Sequence, residues 1–129
     1  MGKFVLKTSK EKVYFTLLAK NAEPILASQG YASRRGALKG LASVAKNAPV
    51  ANIEDQTKEG WEKAKSPKFQ VYTDKGGDFR FRLISSNGKN IGHSEGYSSM
   101  AGLKNGIKSV IKNVEEYEVV NAEDLPEKK

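Results

Sequence analysis

The sequence predicts an α+β domain built from two tandem β-β-β-α-β repeats. The first observation behind this prediction is an internal duplication. Residues 13–47 and 79–113 align without a gap at an offset of 66, with 14 identities in 35 positions, far more than unrelated segments share. The second is an alternation of apolar and polar residues ahead of each helix. The third is a helical spacing of apolar residues near the end of each aligned segment.

Length and composition are those of one globular domain. The chain has 129 residues, of which 38% are hydrophobic and 29% charged. A single repeat would bury too small a share of its surface to be stable alone, so two repeats sharing one core are expected. The apolar stretches are too short to span a bilayer, and no signal segment opens the chain. We therefore expect a cytoplasmic protein that does not bind membranes.

Catalytic and metal-binding groups are not predicted. Cysteine is absent, which excludes disulfides, thiolate nucleophiles and sulfur-bound metals. The single histidine, His93, has no histidine or cysteine partner, and we expect it at the surface or at an edge. Asp74 and Asp78 flank a glycine turn, where aspartate accepts backbone hydrogen bonds. The sequence therefore predicts a non-enzymatic protein without cofactor or metal.

The net charge of +7 is unevenly distributed. Residues 1–49 carry +7 and residues 66–113 carry +5, whereas residues 114–129 carry −4. Both repeats are basic, and the tail is acidic. Such a tail either keeps the protein in solution or folds back on a basic surface, and the first interpretation is the simpler one.

The first two strands of each repeat follow from alternating apolar residues. In the first strands, Phe4 and Leu6 correspond to Phe69 and Val71. In the second strands, apolar side chains occupy one face only, which is typical of a half-buried strand. The inward-facing residues of the second strands are Val13, Phe15, Leu17, Phe79, Phe81 and Leu83.

Turn residues connect these strands. Residues 75–78 (Lys-Gly-Gly-Asp) predict a turn in the second repeat, and residues 9–12 make the same connection one residue shorter. Residues 87–88 (Asn-Gly) predict a tight hairpin before the third strand. The first repeat has Asn-Ala at residues 21–22. Because alanine is disfavoured at positive φ, we expect a different or looser turn there.

The third strands, near residues 25–28 and 91–94, lead into the helices. Ser33 and Ser99 stand at the N-cap positions. Apolar residues then recur at helical spacing, so the helices should lie on the sheet. These residues are Ala37, Leu41, Val44 and Ala45 in the first helix and Leu103, Ile107, Val110 and Ile111 in the second.

Each helix carries two glycines four residues apart, Gly36 and Gly40 in the first and Gly102 and Gly106 in the second. A glycine inside a helix costs about 1 kcal/mol relative to alanine. Its presence in both copies indicates that the glycine face packs closely against the sheet or against the other helix.

Asparagine is expected to end both helices. Asn47 and Asn113 tolerate the left-handed conformation that terminates a helix, and Pro49 prevents continuation in the first repeat. Apolar stretches at residues 50–53 and 117–120 then predict a fourth strand in each repeat.

These elements divide the chain into segments that together form one structural domain. The first repeat covers residues 1–54 and the second covers residues 68–120, joined by a connector at residues 55–67. Trp61 should anchor that connector to the body of the protein. The acidic tail, residues 121–129, is predicted to be disordered.

A specific motif points to a known family. Residues 94–99 (Ser-Glu-Gly-Tyr-Ser-Ser) precede a helix with a distinctive pattern, and residues 79–83 (Phe-Arg-Phe-Arg-Leu) precede the Asn-Gly turn. This combination resembles the YegP-like family, a small domain of bacteria and archaea whose biochemical function is not established. The helix residues that carry the resemblance are Ala101-Gly102, Asn105-Gly106-Ile107 and residues 109–113.

The resemblance, which covers both repeats, implies units that share one antiparallel sheet and exchange their final strands. It implies a monomeric pseudo-dimer here, with both helices on one face of the sheet. The strand near Ile53 would pair with the second repeat and the strand near Val119 with the first. The first repeat departs from the pattern at Ala22, Gln29 and Lys39, so any role of these positions would survive in the second repeat only.

A glycine and a tyrosine stand at the corner between third strand and helix in both copies. The tyrosine would suit a pocket wall, but the simpler interpretation is structural, with the ring covering the core edge and the hydroxyl bonding to backbone. The structural motif comprises Gly30, Tyr31, Ser33, Gly36, Gly40, Gly96, Tyr97, Ser99, Gly102 and Gly106.

The candidate binding surface is the outward face of the sheet. Arginines alternate along one strand beside a tyrosine in a chain with a pI near 9.5, a combination that suits phosphates and stacked bases. Alternating charges on an exposed strand also simply prevent aggregation. The candidate nucleic-acid-binding residues on this face are Lys7, Tyr72, Arg80 and Arg82, with Tyr14 beside Lys7. Arg34 and Arg35, at the start of the first helix, would be a second contact point.

The sequence leaves the biochemical function open between two classes. The first is an interaction module for an unidentified target, and the alternative is nucleic-acid binding through the basic outward face. The partner would then be a protein or a nucleic acid.

Overall fold

Eight strands and two α-helices form the protein in this computed structural model, which describes residues 2–124. In the first repeat the elements are β1 (Gly2–Ser9), β2 (Lys12–Leu18), β3 (Pro24–Ala27), α1 (Arg34–Asn47) and β4 (Asn52–Asp55). In the second they are β5 (Lys68–Thr73), β6 (Phe79–Ile84), β7 (Asn90–His93), α2 (Met100–Asn113) and β8 (Tyr117–Asn121). Short 3-10 helices follow α1 (Ala48–Val50) and β8 (Ala122–Asp124).

All eight strands form one sheet in the order β4-β5-β6-β7-β3-β2-β1-β8. The final strands are exchanged, since β4 pairs with β5 of the second repeat and β8 pairs with β1 of the first. This confirms the exchange that the resemblance implied. Both of these end pairs are parallel, so the sheet is mixed rather than antiparallel throughout. A parallel pair needs a long connection, and residues 56–67 provide one between β4 and β5.

The helices pack on one face of the sheet, called here the inner face; the opposite face is the outer face. Phe4, Phe15, Phe69 and Phe81 are fully buried on the inner face. The Phe4–Phe15 and Phe69–Phe81 ring centroids are each 5.6 Å apart in edge-to-face contact. Buried residues of both repeats form one cluster, which confirms the predicted common core.

The two repeats meet at β3 and β7 around a local two-fold axis. Ala27 pairs with His93, and these positions are equivalent in the duplication. Beside them, a Cβ atom added to Gly92 would lie 2.7 Å from a Cδ atom of Leu26, again its equivalent. Two large side chains cannot occupy the same space next to the axis. The duplication therefore holds leucine in one copy and glycine in the other.

Ser33 and Ser99 cap the helices as predicted. Their Oγ atoms accept hydrogen bonds from Gly36 N at 3.1 Å and from Gly102 N at 3.0 Å, which satisfies amides that have no partner within the helix. The predicted apolar stripes are also confirmed. Their buried members are Ala37, Leu41, Val44, Leu103, Ile107 and Val110, and Ala45 and Ile111 are partly buried.

The second glycine of each helical pair is the more tightly packed one, although a Cβ atom on Gly102 would also lie 3.2 Å from Ser99 Oγ. A Cβ atom on Gly40 would overlap the hydroxyl of Tyr31 and lie 2.6 Å from its Cζ, and Gly106 meets Tyr97 in the same way, at 2.7 Å. On Gly36 the nearest atom would be 3.5 Å away. The nearest neighbour is thus a tyrosine of the same repeat. For Gly40 the expected contact with the sheet is also present, because Phe15 Cε2 on β2 would lie 3.1 Å from the added Cβ atom.

The hairpin before β3 differs from the expected looser turn at residues 21–22. Ala22 adopts a φ of 67° and Gly88 a φ of 83°. The same backbone hydrogen bonds close both turns, from Ala22 N to Ala19 O at 2.8 Å and from Gly88 N to Ser85 O at 2.9 Å. The turn in the first repeat is therefore neither different nor looser, because strand pairing holds alanine in a conformation that it disfavours.

The predicted left-handed ends of the helices are wrong. Asn47 has right-handed backbone, with φ −89° and ψ −34°. Its side chain instead donates from Nδ2 to Ser43 O at 2.7 Å, as Asn113 donates to Ser109 O at 2.8 Å. Asn47 Oδ1 also accepts from Ser86 N at 3.2 Å. This asparagine thereby links α1 to the β6–β7 turn of the other repeat.

Two predicted boundaries shift. The strand β4 begins at Asn52 rather than at residue 50, because residues 48–50, which include Pro49, form a 3-10 turn. At the other end of the chain, residues 121–124 belong to β8 and a 3-10 helix. The folded part thus extends beyond the predicted limit at residue 120. Residues 125–129 of the predicted tail lie outside the described residues.

Candidate functional site

One row of paired residues crosses the whole outer face. On strands β4, β5, β6 and β7 the residues of this row are polar or charged, whereas on β3, β2, β1 and β8 they carry no charge. The two halves of the outer face therefore differ in chemistry. In strand order the row is Glu54, Gln70, Arg82, His93, Ala27, Thr16, Val5 and Val120.

The two outer-face arginines are already engaged with neighbours. The guanidinium carbon of Arg82 lies 4.5 Å from the centroid of the Tyr72 ring, which is cation–π distance, and Arg82 Nε donates to Gln70 Oε1 at 2.6 Å. Arg80 Nε forms an ion pair with Asp74 Oδ2 at 2.5 Å. The hydrogen bond from Arg80 lowers the pKa of Asp74. A phosphate approaching this surface would compete with those partners.

The outward-facing basic residues do not lie side by side, and the predicted second contact point lies on the other side of the sheet. Antiparallel pairing of β3 with β7 places Lys7 near one end of the outer face and Arg80 near the other. Arg34 and Arg35 begin α1, on the inner side of the sheet. There Arg34 Nη1 donates a hydrogen bond to Asn121 Oδ1 on β8. The structure thus separates these residues into three places.

His93 lies on the outer face near the centre of the sheet, so of the two expected positions, surface or edge, the edge is wrong. It is half-buried on β7 and pairs with Arg82 and Ala27. Burial and the neighbouring charge of Arg80 lower the pKa of His93. A cleft of about 260 Å³ beside it includes Glu95 in its lining. The part of the chain that the structure describes contains no group of three acidic or histidine side chains suited to a metal ion.

A buried ion pair holds the start of β5 against β4. Lys68 Nζ lies 2.6 Å from Glu54 Oε2, and the two side chains are only 7% and 1% exposed. Glu54 Oε1 also accepts from Gln56 Nε2 at 2.8 Å and from Gln70 Nε2 at 3.0 Å. Burial raises the pKa of Glu54, but the hydrogen bonds to its carboxylate outweigh burial and lower the pKa to about 2.

The same carboxylate holds the connector. Glu54 Oε2 accepts from Ala64 N at 2.8 Å, so residues 56–67 fold over the outer face at the β4 end. Trp61, the predicted anchor, is 45% exposed. The anchor is therefore a buried carboxylate, which binds backbone through a hydrogen bond where an indole would need an apolar cavity.

An apolar groove runs between α2 and the edge strand β4 on the inner side of the sheet. Its volume is about 300 Å³. Lys104 and Lys108, both exposed, stand four residues apart on the α2 rim, and Asp55 stands on β4. Sequence reasoning missed this groove, although the pair of lysines beside an apolar helical stripe was visible. The apolar lining is Ile53, Val71, Met100, Leu103, Ile107 and Ile111.

The strand beside the groove has a free backbone edge. Asn52 N donates to Pro67 O at 2.9 Å and Gln56 N donates to Val71 O at 2.8 Å. Backbone groups of alternate residues point in opposite directions along a strand. The amides of Ile53 and Asp55 therefore point away from the sheet, and among the described residues they have no backbone partner.

In the other half of the molecule, the equivalent space between α1 and β8 is bridged. Arg34 and Asn121 occupy the positions of Met100 and Asp55 in the duplication. The hydrogen bond from Arg34 to Asn121 spans that space. Methionine and aspartate form no such bond, so the second groove lacks this bridge.

The tyrosines at the strand-to-helix corners are packing residues. Tyr31 stacks on Phe15 and Tyr97 stacks on Phe81, with ring centroids 6.0 and 6.2 Å apart. Burial raises the pKa of both tyrosines. Their hydroxyls face the helical glycines, and the backbone hydrogen bond expected for them is not among the bonds of the described residues.

These features define a class: a two-repeat α+β domain with exchanged edge strands. The chain belongs to the family described as "Domain of unknown function (DUF1508)", which matches twice, over residues 9–55 and 74–121. The two matches confirm the duplication. Within the described residues, neither α-helix has the length and apolar character needed to cross a membrane.

Relatives confirm the YegP-like resemblance. The UPF0339 protein YegP of Yersinia pestis is 40% identical over 114 residues, 88% of each chain, and a UPF0339 protein of Bordetella pertussis is 39% identical over 112 residues, 87% of each. The solution structure of YegP from E. coli, described as a protein of unknown function, has a TM-score of 0.76 and 31% identity over 94% of this chain and 92% of its own. These names state no enzymatic activity.

Proposed function

We propose that this protein is a non-enzymatic interaction module that holds a segment of a partner protein in the groove between α2 and β4. The observation that carries the proposal is Ile53. Its side chain faces the inner side of the sheet, yet it is 53% exposed beside a groove of about 300 Å³ lined by apolar atoms. Covering such a surface removes apolar area from water and so favours association.

Binding fits this groove better than catalysis does. Its ionisable lining is two lysines and Asp55, and Asp55 Oδ1 already accepts from Thr57 N at 2.9 Å. Acid–base or nucleophilic chemistry would need groups that converge on one point. We further propose that the protein is cytoplasmic. We also propose that it is a monomer of two repeats, residues 1–55 and 68–121, joined by a connector at residues 56–67, because strand exchange is completed within one chain.

A selection experiment tests the proposal. A random dodecapeptide library displayed on phage is selected against the intact protein, and enriched peptides are assayed against Ile53→Lys and Val119→Lys. Val119, 38% exposed on β8, is the equivalent of Ile53, so the second variant is a matched control. We expect the first variant to weaken binding at least about tenfold and the control to leave it unchanged. Failure to enrich any peptide, or equal binding to both variants, would overturn the proposal.

Nucleic-acid binding is the second candidate, favoured by the Arg82–Tyr72 stack on the outer face. It has less support because Arg80 is paired with Asp74 and because the candidate residues lie on both sides of the sheet. Fluorescence anisotropy with labelled DNA or RNA should then show affinity that falls steeply with salt, and the double variant Arg80→Ala, Arg82→Ala should flatten that slope. Absence of binding at low salt excludes this candidate. The residues it would use are Lys7, Arg34, Arg35, Tyr72, Arg80 and Arg82.

A further inference from the structure

We infer that the groove takes its partner as an extended acidic segment, which adds a ninth strand to the sheet along β4 and places its carboxylates at Lys104 and Lys108. This inference rests on the proposed function and specifies the conformation and the charge of the partner. Three independent observations lead to it: the backbone of β4, the charge of α2, and the poorer fit of a second copy of this chain.

The backbone of β4 favours a strand over a helix as the occupant. Ile53 and Asp55 direct their backbone amides and carbonyls away from β5, toward the side of β4 on which no strand is paired. The side chains of the same two residues face the groove. An added strand would pair with those backbone groups and direct every second side chain over Ile53. A docked helix satisfies its own backbone and would leave this edge unpaired.

The charge of α2 favours an acidic partner. The helix Met100–Asn113 contains three lysines and no acidic residue. Lys104 and Lys108 are exposed on the groove rim, and neither takes part in an ion pair among the described residues. Asp55 stands on the opposite wall, where Thr57 holds its carboxylate. Carboxylates near the two lysines would therefore gain attraction without displacing an existing partner.

A second copy of this chain fits the groove less well. If two β4 strands paired edge to edge, each would offer Asp55 as its one inner-face carboxylate, since the carboxylate of Glu54 is buried with Lys68. Each copy would also bring its own α2 lysines to the same side of the joint sheet. Like charges brought together oppose such pairing.

Hydrogen exchange tests the conformation of the bound segment. With the intact protein saturated by an enriched dodecapeptide, amide exchange is followed by NMR. We expect the amides of Ile53 and Asp55 to exchange at least about tenfold more slowly, because each would gain a hydrogen-bond partner. The amides of Val119 and Asn121 at the other sheet edge serve as the control and should be unaffected.

Charge reversal tests the chemistry of the segment. The double variant Lys104→Glu, Lys108→Glu should weaken binding of the enriched peptides at least about tenfold. The matched control is Arg35→Glu, Lys39→Glu, which makes the same charge change at the same spacing on the exposed side of α1 and should change affinity less than about twofold. Binding to the parent protein should also weaken as salt is raised.

The outcomes separate the inference from the proposed function. Peptides that require Ile53 but are neutral or basic, that bind the charge-reversed variant equally well, or that leave the two β4 amides in fast exchange would overturn the inference alone. If no peptide depends on Ile53, both fail. Sedimentation equilibrium without peptide tests whether a second copy of this chain occupies the groove instead. If the protein forms a dimer that Ile53→Lys abolishes, the occupant is a second copy and the inference of an acidic segment is wrong.

Discussion

The two ends of the sheet have equivalent residues in different surroundings. At the β8 end, Lys3 Nζ lies 3.4 Å from Glu118 Oε1, with side chains 37% and 47% exposed. At the β4 end, Lys68 occupies the position of Lys3, but it pairs with Glu54 beneath the connector and is nearly inaccessible. The connector covers one end of the outer face only. Equivalent positions have thus acquired different environments because one chain links the repeats in one direction.

The inner side shows the same divergence. Tyr117 on β8 packs edge to face on Phe4, with ring centroids 5.0 Å apart, whereas the equivalent position before β4 is Ala51. The Arg34–Asn121 hydrogen bond then bridges the space beside α1. A shared backbone has therefore produced one bridged groove and one apolar groove with an exposed isoleucine. The comparison teaches that function in a duplicated fold is to be sought where the copies differ.

The largest expected effect is a difference in the contribution of the two ion pairs to the free energy of unfolding. Glu54→Ala leaves Lys68 buried without a counter-charge and should lower the free energy of unfolding by about 3–5 kcal/mol. Glu118→Ala removes the exposed pair made by Lys3, the equivalent of Lys68, and should cost less than about 1 kcal/mol. Urea denaturation of both variants measures the difference. Equal losses would contradict the claim that the connector changes the energetics of this end.

The contribution of the buried Glu54–Lys68 pair to stability should also depend on pH. The pKa of Glu54 is lowered from 4.5 to about 2 in the folded state, so the unfolded chain binds a proton at this site first. The stabilisation from Glu54 is therefore present above pH 4.5 and is lost as the pH falls toward 2. We expect the stability gap between the parent and Glu54→Gln to shrink over that range. A gap that stays constant in urea titrations would contradict the lowered pKa.

Substitution of the helical glycine that contacts the tyrosine should destabilise both repeats equally. Gly106→Leu and Gly40→Leu should each lower the free energy of unfolding by about 3 kcal/mol, because the new side chain overlaps a partly buried tyrosine that is packed against the core. Gly36→Ala is the matched control. It meets its nearest atom at 3.5 Å and should raise stability by up to about 1 kcal/mol through helix propensity. Thermal melts that leave Gly106→Leu within a degree or two of the parent would show that this face is open.

The local two-fold axis offers a rescue experiment. Gly92→Leu should cost about 2 kcal/mol, because the added side chain meets Leu26. Adding Leu26→Gly should restore much of that loss by exchanging the large and the small residue between equivalent positions. Denaturant unfolding of the two single variants and the double variant measures the coupling. Strictly additive losses would mean that the two positions do not share one space.

The smallest effect concerns the turn before β3. Ala22 has positive φ where its equivalent is Gly88, so Ala22→Gly should raise the free energy of unfolding by up to about 1 kcal/mol. Gly88→Ala is the opposite change at the equivalent turn and should lower stability by a similar amount. If the two substitutions shift the denaturation midpoint in the same direction, the turns are not equivalent.

Local chemistry explains what sequence analysis predicted well. The strand alternation around Phe15 and Phe81, the serine caps and the helical stripes depend on neighbours within a few residues, and all are confirmed. The prediction that basic residues share one binding face was less accurate. Lys7 and Arg80 are both outward-facing, but only the register between β3 and β7 decides that they lie at opposite ends of the sheet.

The groove and the covered end of the sheet were not predicted because they join distant segments. From the sequence, Ile53 is an ordinary strand residue, and only the tertiary structure places β4 at an edge beside α2. Glu54 would be predicted as a surface carboxylate, and only the tertiary structure shows that the connector covers it. Neither environment has a local signature, since each depends on which strand pairs with which.

By itself, the sequence determined the repeat, its order of strands and helix, and the caps and turns, because these follow from residue periodicity and from backbone preferences over short distances. Only the tertiary structure decided the parallel pairing of the exchanged strands, the burial of Glu54 with Lys68, and the open groove beside Ile53. These depend on contacts between segments far apart in the chain, where small differences between two copies decide which surfaces are covered and which stay free.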